Sequence, residues 1–327
     1  MPLARSAAAD GRWQLYRLLA EPGRLRLLAL VSEHELTVGE LAELLSDSQP
    51  NVSRQVTSLR QGGLVVDRRQ GTRTFVRIVD SMVRDPVVED AIIEGRRLCR
   101  EEGRLERIFA VLQRRNERAR AGFEEVDPDA FDPRPSAELP AYALAVARLT
   151  VARGTAVDVG TGDGAMLDVL APFFTRVIAI DRSPAQLRRA ERRVSFRGYD
   201  NVELLCGDID DREVRQRVGE GADAVFATRV LHHAASPRVT MAALVALLRP
   251  GGQLLVLEYQ THDDESFRQR QADVWMGFAK DELLQFAATA GLVGAVWCEI
   301  PTGLFGGGVD GQLAWQLVRA ERPSAVP

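Results

Sequence analysis

A glycine-rich loop and a later aspartate have the residue types and spacing of a nucleoside-binding site. Residues 157–164 read Val-Asp-Val-Gly-Thr-Gly-Asp-Gly, and Asp181 closes a second apolar run 21 residues after Gly160. The run Thr155–Val159 predicts a buried parallel strand, and the glycines suit a tight turn in which backbone amides approach a ligand. A carboxylate at the end of the next strand is placed to accept hydrogen bonds from ribose hydroxyls. The segment therefore predicts binding of a nucleoside-containing cofactor.

The loop alone leaves two cofactor classes open. Its glycines follow a Gly-x-Gly-x-Gly pattern through Gly164, whereas a nicotinamide site prefers Gly-x-Gly-x-x-Gly or Ala, which Ala165 also satisfies. Three later motifs separate the two cofactor classes. The first supplies an acid and an apolar residue for an adenine ring. The second is a histidine pair after a fourth strand, and the third is a glycine turn before a fifth strand. In chain order these are Cys206-Gly207-Asp208-Ile209, Val225–His233, and Leu248-Arg249-Pro250-Gly251-Gly252 before a strand over 253–258.

In that order and spacing, residues 142–319 resemble the class I S-adenosylmethionine-dependent methyltransferases, and especially those of ubiquinone and menaquinone biosynthesis. The resemblance implies a seven-stranded, Rossmann-like α/β sheet with an antiparallel last strand, which 313–319 would form after the glycine-rich turn 303–311. It also implies S-adenosylmethionine or S-adenosylhomocysteine as the cofactor. Its amino-acid part would lie against the glycines, its ribose on the aspartate of the second strand, and its adenine between the acid and the apolar residue of the third. The expected cofactor-binding residues are Asp158, Gly160, Thr161, Gly162, Gly164, Asp181, Arg182, Asp208, Ile209 and Thr228.

His232 and His233 follow the fourth strand, near the expected acceptor pocket. Either one could remove a proton from an oxygen or nitrogen acceptor, so both are candidate catalytic residues. The alternative is that one caps the strand end while the other packs. Methyl transfer from a sulfonium needs an in-line acceptor more than a fixed nucleophile, so the sequence need not display a catalytic residue.

A second group of polar residues lies nearer the N-terminus, at the start of a helix predicted over 49–61. The first residues of a recognition helix reach base edges in the major groove, where Gln or Asn can bind adenine and Arg can bind guanine or phosphate. Strands predicted at 64–67 and 74–79 flank an arginine-rich hairpin loop that would meet the DNA backbone or the minor groove. Any one of these polar residues could simply lie on a solvent-exposed surface, but their occurrence together in this order favours DNA binding. The expected contacts are Ser48, Gln49, Asn51, Ser53, Arg54, Arg68, Arg69 and Arg73.

Residues 13–80 resemble the ArsR family of winged-helix repressors. The resemblance lies in the opening helix from Leu15 to Leu28, in Ser48-Gln49 with Ser53-Arg54, and in the Gly63-Leu64-Val65 entry to the wing. It implies a homodimer that binds a two-fold symmetric operator in double-stranded DNA. Metal-sensing members carry a cysteine pair in the helix that matches 38–45. This chain has no cysteine there, which argues against metal sensing at that position.

Length and charge distribution predict two domains. The chain has 327 residues, of which 46% are hydrophobic and 27% charged, an ordinary globular composition that is long for one core. Residues 1–84 hold 12 arginines and 9 acidic residues, whereas the remainder holds 30 basic and 37 acidic ones. The basic excess therefore lies in the segment expected to bind DNA.

The fold expected is mixed, with an α+β winged helix-turn-helix followed by the α/β methyltransferase sheet. The expected segments are 1–84 for DNA binding, 85–140 for a helical dimerisation segment and a proline-rich linker, and 141–327 for the methyltransferase domain. Asp85-Pro86 opens a helical stretch expected to reach about Glu125. Its apolar stripe suits a partner subunit.

Cysteine usage and hydropathy limit the setting. Cys99, Cys206 and Cys298 are too scattered for a disulfide framework or a Cys-x-x-Cys metal site, so we expect no metal. No apolar run approaches the length of a membrane span, and the first residues lack the apolar core of a signal peptide. We therefore expect a cytoplasmic protein with no membrane partner.

Three functions fit these expectations. The first is a repressor whose second domain methylates a small molecule. The second is a non-catalytic repressor that senses S-adenosylmethionine or S-adenosylhomocysteine through the methyltransferase fold, and the third is an enzyme whose winged helix only dimerises. The glycine loop and its aspartates do not discriminate between the first two, because a sensor needs them as well.

Overall fold

The computed structural model describes residues 4–124, 127, 130, 132, 134–271, 273–301, 304 and 312–324. The chain forms two compact units, residues 1–114 and 115–327. Each has its own sheet, and together they confirm the mixed fold class that the sequence predicts. Residues 85–114 belong to the N-terminal compact unit. The sequence instead predicts a separate segment over residues 85–140.

The first unit has the element order of a winged helix. Its three-stranded sheet has the strand order β1-β3-β2, and both neighbouring pairs are antiparallel. The elements are α1 (Ala4–Leu19), α2 (Pro22–Glu33), β1 (Leu36–Thr37), α3 (Val38–Leu45), α4 (Gln49–Gln61), β2 (Val65–Gln70), β3 (Arg73–Ile78), a 3-10 turn (Met82–Arg84), α5 (Pro86–Glu101) and α6 (Arg104–Glu124), which continues past residue 114.

Side-chain caps fix where these helices begin. The Thr37 hydroxyl accepts a hydrogen bond from the Glu40 amide at 3.2 Å, and the Glu40 carboxylate accepts one from the Thr37 amide at 2.7 Å. This is the predicted capping box. Asp85 accepts a hydrogen bond from the Val87 amide at 2.9 Å, as its position before proline predicts. The helical stretch predicted from Asp85 to about Glu125 consists of two helices, α5 and α6, which are separated at Gly103 with a left-handed φ of +64°.

The wing is tighter than the sequence predicts. Gln70 pairs with Arg73, so only Gly71 and Thr72 form the turn where the sequence indicates a six-residue loop. Three arginines of that expected loop therefore lie on strands, where successive side chains point to opposite faces. Arg68 is buried as a result, and Arg69 is exposed.

The second unit contains the predicted seven-stranded sheet, in the strand order β6-β5-β4-β7-β8-β10-β9. Its elements are α7 (Leu139–Ala147), β4 (Thr155–Val159), α8 (Leu167–Phe173), β5 (Arg176–Asp181), α9 (Pro184–Arg197), β6 (Val202–Cys206), α10 (Arg212–Val218), β7 (Ala222–Thr228), a 3-10 turn (Leu231–His233), α11 (Pro237–Ala246), β8 (Leu248–Tyr259), α12 (Glu265–Gln271), α13 (Lys280–Thr289), β9 (Val293–Ile300) and β10 (Trp315–Glu321). The last strand is antiparallel to both of its neighbours, as expected. The glycine-rich turn predicted at 303–311 lies, except for Leu304, outside the described residues.

Strand order locates the site. The chain runs from β4 to β5 and β6 on one side, then returns to β7 and β8 on the other side of β4. Connections that leave neighbouring parallel strands in opposite directions open a crevice at the strands' carboxyl ends. Gly160 follows β4 and Thr228 ends β7, the two strands that flank this crevice.

No helix in the described part of the chain is both long and apolar enough to cross a membrane.

Candidate functional site

A cavity of about 670 Å³ lies at the carboxyl ends of β4, β5 and β7. Cavities of about 300–1,000 Å³ suit small molecules and cofactors. Every expected cofactor-binding residue except Gly164 lines it: Asp158, Gly160, Thr161, Gly162, Asp181, Arg182, Asp208, Ile209 and Thr228. His232 and His233 lie in its wall as well.

The glycine loop follows β4 and takes left-handed backbone angles, with φ of +69° at Gly160, +57° at Gly162 and +80° at Gly164. The amides of Gly160 and Thr161 donate to the Ile180 carbonyl at 2.8 and 3.0 Å. These two amides therefore fasten the loop to β5 and, unlike the ligand contact expected of the loop amides in general, are already bonded within the chain. Gly164 has a packing role instead, because a Cβ there would lie 3.2 Å from Ala190 on α9.

Asp181 organises the loop from the end of β5. One carboxylate oxygen accepts a hydrogen bond from the Gly162 amide at 2.8 Å, and the other accepts one from the Ser183 amide at 2.8 Å. Burial raises the pKa of Asp181, while those two amides oppose the increase. Each oxygen keeps a second lone pair, so the carboxylate can bind a vicinal diol while holding the loop.

Asp158 lies at the floor of the cavity and is 1% exposed. Burial raises the pKa of Asp158 to about 7, the Thr161 hydroxyl lowers it, and the Asp181 carboxylate raises it further. The Oδ2 atom of Asp158 forms no hydrogen bond with any described residue. Leaving such an oxygen buried without a partner is unfavourable, so the site suits a ligand that brings a cation or a hydrogen-bond donor.

The side of the cavity at which the sequence predicts adenine binding is bounded by an ion pair and an apolar side chain. Arg182 Nε lies 3.0 Å from Asp208 Oδ2, which fixes the orientation of that carboxylate. Ile209 is buried next to it and lines the cavity, as does half-buried Thr228 at the end of β7. The structure thus gives Arg182 a positioning role that its place in the sequence does not indicate.

The two histidines lie against two buried carboxylates. The 3-10 turn after β7 places His232 Nδ1 2.8 Å from Glu258 Oε2, and His232 Nε2 3.7 Å from Asp273 Oδ1. His233 Nδ1 is 3.4 Å from the same Asp273 oxygen. Both ring nitrogens of His232 therefore face carboxylates, and this geometry argues against the predicted role of His232 as a proton acceptor from substrate.

The pKa values of the two imidazoles are shifted in opposite directions. Burial opposes protonation of His232, but Glu258 and Asp273 outweigh it and raise the pKa of His232. Burial and the neighbouring His232 hold the pKa of His233 well below its ordinary value. The sequence indicates no metal site, yet ligand atoms of His232, His233 and Asp273 all lie within 4.8 Å of one another.

Several residues that line the cavity or lie behind its wall were not predicted from the sequence. Arg229 has a left-handed φ of +57°, and its guanidinium lies 5.3 Å from the centre of the Trp315 ring and donates to the Tyr142 hydroxyl at 3.3 Å. Burial raises the pKa of Tyr142 to about 12, so its hydroxyl stays neutral. Glu258 is the one of these residues that left a signal, as an acid at the end of an apolar strand; Asp273 left none.

The start of α4 presents the predicted base-reading surface in the first unit. Gln49, Ser53 and Arg54 are exposed, while Val52 and Val56 face the core. Ser48 is also exposed, and its hydroxyl caps the helix through the Asn51 amide at 3.4 Å. The half-buried Asn51 donates its side-chain amide to the Asp47 carboxylate, so it is less available than its neighbours.

The wing contributes fewer arginines than predicted. Arg69 is exposed and Arg73 is half-buried, so both remain candidates for phosphate contact. Arg68 is 7% exposed, and its guanidinium lies 3.5 Å from the equally buried carboxylate of Glu35. A side chain buried in this way cannot reach DNA without unfolding the wing, so Arg68 leaves the predicted contact set.

Comparison with known proteins matches each unit to a family. Residues 21–66 match the bacterial regulatory protein, arsR family, and residues 157–254 match a methyltransferase domain family. The first match extends from α2 through α4 to the start of β2. The second extends from the glycine loop to the strand that carries Glu258.

Curated relatives divide in the same way. The arsenical resistance operon repressor of Escherichia coli is 36% identical over 104 residues, 32% of this chain and 86% of the repressor. The transcriptional regulator KmtR of Mycobacterium tuberculosis is 36% identical over 76 residues, 23% of this chain and 58% of KmtR. An uncharacterized methyltransferase of M. tuberculosis is 34% identical over 105 residues, 32% of this chain and 50% of that protein. The chain thus belongs to the ArsR family through its N-terminal DNA-binding regulator domain, and it carries a methyltransferase domain after it.

Proposed function

We propose that this chain is a cytoplasmic, homodimeric transcriptional regulator whose second domain binds S-adenosylmethionine and methylates a small molecule. The observation that carries the enzymatic part is the cavity at the strand crossover, where Asp158 and Asp181 face the same space. The match of residues 157–254 to a methyltransferase domain supports it.

The residues of the cavity fit the cofactor's chemical groups. Asp181 holds the ribose diol, and Asp208 with Ile209 frames the adenine. The unsatisfied Oδ2 of Asp158 would hold the ammonium of the amino-acid part, and Gly160 and Gly162 line the same cavity without side chains. A carboxylate bonded to a charged donor gains about 1.5–3 kcal/mol, roughly twice a neutral hydrogen bond.

When bound, this cofactor supplies an electrophilic methyl group on a sulfonium. The chain's task is then to orient an acceptor and exclude water, and orientation alone contributes up to about 7–11 kcal/mol. The His232–His233 wall, Arg229 and Tyr142 surround the remaining space and bear the polar groups that would contact the acceptor. A small polar molecule fits a cavity of this size once a nucleoside occupies part of it.

The raised pKa of Asp158 predicts pH-dependent cofactor binding. Only the ionised carboxylate attracts the ammonium, so the affinity for S-adenosylmethionine should rise as the pH increases towards about 7. Below that pH the dissociation constant should increase by about tenfold per pH unit. Calorimetric titration between pH 5.5 and 7.5 measures this slope. Asp158→Asn should bind weakly with a flat profile, and an unchanged slope in that variant would remove Asp158 from the site.

The same shift affects stability in the opposite direction. Because the folded chain holds the Asp158 proton up to about pH 7 and the unfolded chain only up to about pH 4, the free energy of unfolding without cofactor should fall between these values as the pH rises. Asp158→Asn should lose that contribution to the pH dependence. Denaturant titrations at pH 5 and pH 7 test this independently of ligand binding.

The winged helix should bind an operator through α4 and the wing. Arg54→Ala should weaken binding to a DNA fragment that contains the chain's own promoter by about 1–3 kcal/mol, because an exposed arginine at this position can contact a guanine or a phosphate. Arg60→Ala is the matched control on the same helix, since the Arg60 guanidinium is bonded to Asp67 at 2.6 Å. Fluorescence anisotropy at several salt concentrations measures both; equal losses would contradict the assignment.

Exposed apolar side chains in the first unit support the homodimer. Ile93 on α5 is 58% exposed and Phe109 on α6 is 66% exposed, values that are high for such residues. Trp13 and Tyr16 on α1 are more than half exposed as well. Exposed apolar side chains mark a protein interface when they form a contiguous patch. Sedimentation equilibrium gives the association state.

The methylation step is tested with a labelled methyl donor. Purified protein, S-adenosylmethionine labelled in the methyl group and an extract of small molecules should yield a labelled product, and Asp181→Ala should need about a hundredfold more donor to form it. Cofactor-dependent operator binding without any labelled product would mean that the domain serves as a sensor. A labelled product without operator binding at low salt would mean that the winged helix only dimerises.

A further inference from the structure

We propose that His232, His233 and Asp273 bind a divalent transition-metal ion in the wall of the cavity. No family match or curated relative described above assigns this site. A role of this ion in catalysis depends on the proposed methyl transfer, whereas binding of the ion does not depend on it.

The candidate ligand atoms of the three residues lie near the separation that one shared ion allows. A metal at about 2.0–2.1 Å from each ligand allows two ligand atoms to lie up to about 4.2 Å apart. His233 Nδ1 and His232 Nε2 lie 3.4 and 3.7 Å from Asp273 Oδ1, and all three ligand atoms fall within 4.8 Å. Both contacts with Asp273 lie inside this limit, whereas the full span of the cluster exceeds it, so binding an ion requires the side chains to move closer together.

Glu258 gives the cluster the outer partner that metal-bound histidines usually have. Such a histidine commonly donates its other ring N–H to a carboxylate, which fixes the tautomer and raises the basicity of the ligand nitrogen. Glu258 Oε2 lies 2.8 Å from His232 Nδ1, and its Oε1 accepts a hydrogen bond from the Leu231 amide at 2.6 Å. The fully buried carboxylate thus aims His232 Nε2 at Asp273.

Backbone contacts hold the three ligands together without an ion. The His232 carbonyl accepts hydrogen bonds from the Val274 and Trp275 amides, both at 3.0 Å, and the Trp275 indole donates to the Ala234 carbonyl at 2.6 Å. These bonds fasten the segment that begins at Asp273 onto the 3-10 turn of the histidines. Trp275 is fully buried, which makes the arrangement rigid.

The donor set selects the kind of metal. Two imidazoles and one carboxylate suit Zn²⁺, Fe²⁺, Mn²⁺ or Co²⁺, whereas Mg²⁺ and Ca²⁺ prefer oxygen ligands throughout. Three protein ligands leave coordination positions open, and His232 and His233 both line the cavity. The cation would place positive charge beside the acceptor, so oxygen acceptors that react as anions, such as phenols or enols, are the class that the site favours.

Cobalt binding tests the proposal directly. The full-length chain is treated with a chelator, dialysed and titrated with Co²⁺, whose visible absorption reports nitrogen and oxygen ligands. We expect saturation at one ion per chain, and Zn²⁺ should displace it. Elemental analysis of the protein after incubation with Zn²⁺ and gel filtration gives an independent stoichiometry.

Variants assign the ligands. His233→Ala and Asp273→Asn should abolish saturable binding, and Glu258→Gln should weaken it by about 10–100-fold, as loss of an outer partner does. His262→Ala is the matched control, because His262 lies on the same side of the unit, with its ring 6.3 Å from that of Tyr259, but outside the cluster. Asp273→Asn preserves size, so it remains informative if His233→Ala does not fold, as judged by circular dichroism.

The outcomes separate this proposal from the proposed function. Absence of a Co²⁺ band and of retained Zn²⁺ in the folded wild-type chain would overturn the metal site, as would binding that persists in Asp273→Asn. Calorimetry with S-adenosylmethionine on the same samples decides the other question. Ion binding without cofactor binding would leave the metal site standing and contradict the proposed function, and the reverse result would do the opposite.

Discussion

Replacing Arg68 by alanine is expected to destabilise the N-terminal unit by about 3–5 kcal/mol, because it removes a guanidinium that lies 3.5 Å from the buried carboxylate of Glu35. The two side chains are each only 7% exposed, so water cannot replace the missing guanidinium without opening the wing. A cost of this size is a large fraction of the stability of an ordinary domain.

Urea denaturation followed by circular dichroism measures this loss. The adjacent Arg69 is the matched control: it is exposed, so Arg69→Ala should change stability by no more than about 0.5 kcal/mol while weakening operator binding. Removing both charges, as in Glu35→Gln with Arg68→Met, should recover part of the loss, because no unpaired charge stays buried. A small effect of Arg68→Ala, close to that of Arg69→Ala, would mean that the Arg68 side chain is not held by this ion pair.

Replacing Asp181 by alanine is expected to weaken binding of S-adenosylmethionine by about a hundredfold, or about 2.7 kcal/mol. One part of the loss comes from the ribose diol, since each charge-assisted hydrogen bond contributes about 1.5–3 kcal/mol. Another part comes from the loop, because the amides of Gly162 and Ser183 lose the acceptor that holds them in place. The cofactor would then bind to a less ordered site.

Calorimetric titration of the folded variant measures the change. Asp210→Ala is a suitable control, since Asp210 is an exposed acid near the same edge of the sheet, is paired with Arg215, and does not line the cavity. Asp181→Asn separates the two contributions: its side chain still offers one oxygen acceptor, so it should bind better than the alanine variant. Wild-type affinity in Asp181→Ala would exclude this carboxylate from the cofactor site.

The placement of residues was predictable from the sequence where it depends on neighbours in the chain. The glycine turn, Asp181 and Asp208 each follow an apolar strand, and parallel strands bring their carboxyl ends to one edge whatever the connecting helices contain. The capping residues Thr37 and Asp85 were identified for the same reason, because a cap depends on the next two or three residues only.

Features that depend on register or on distant segments were not predictable. The sequence predicts a DNA contact for Arg68 because residues 68–73 were assigned to the hairpin loop. In the structure Gln70 pairs with Arg73, so Arg68 lies on the inner face of the strand. Asp273 lies about 40 residues beyond the histidines that it faces and is brought there by tertiary hydrogen bonds to the His232 carbonyl. No spacing rule encodes such a contact.

The position of β10 in the sheet determines how a shortened chain would behave. β9 has its only strand neighbour among the described residues in β10, which also covers the open side of β8. Loss of residues 315–321 would therefore detach two strands rather than one and uncover the long apolar edge of β8. Exposed edges of that kind pair with other chains, so aggregation, more than a simple loss of affinity, is the expected fate of a chain that ends before Trp315.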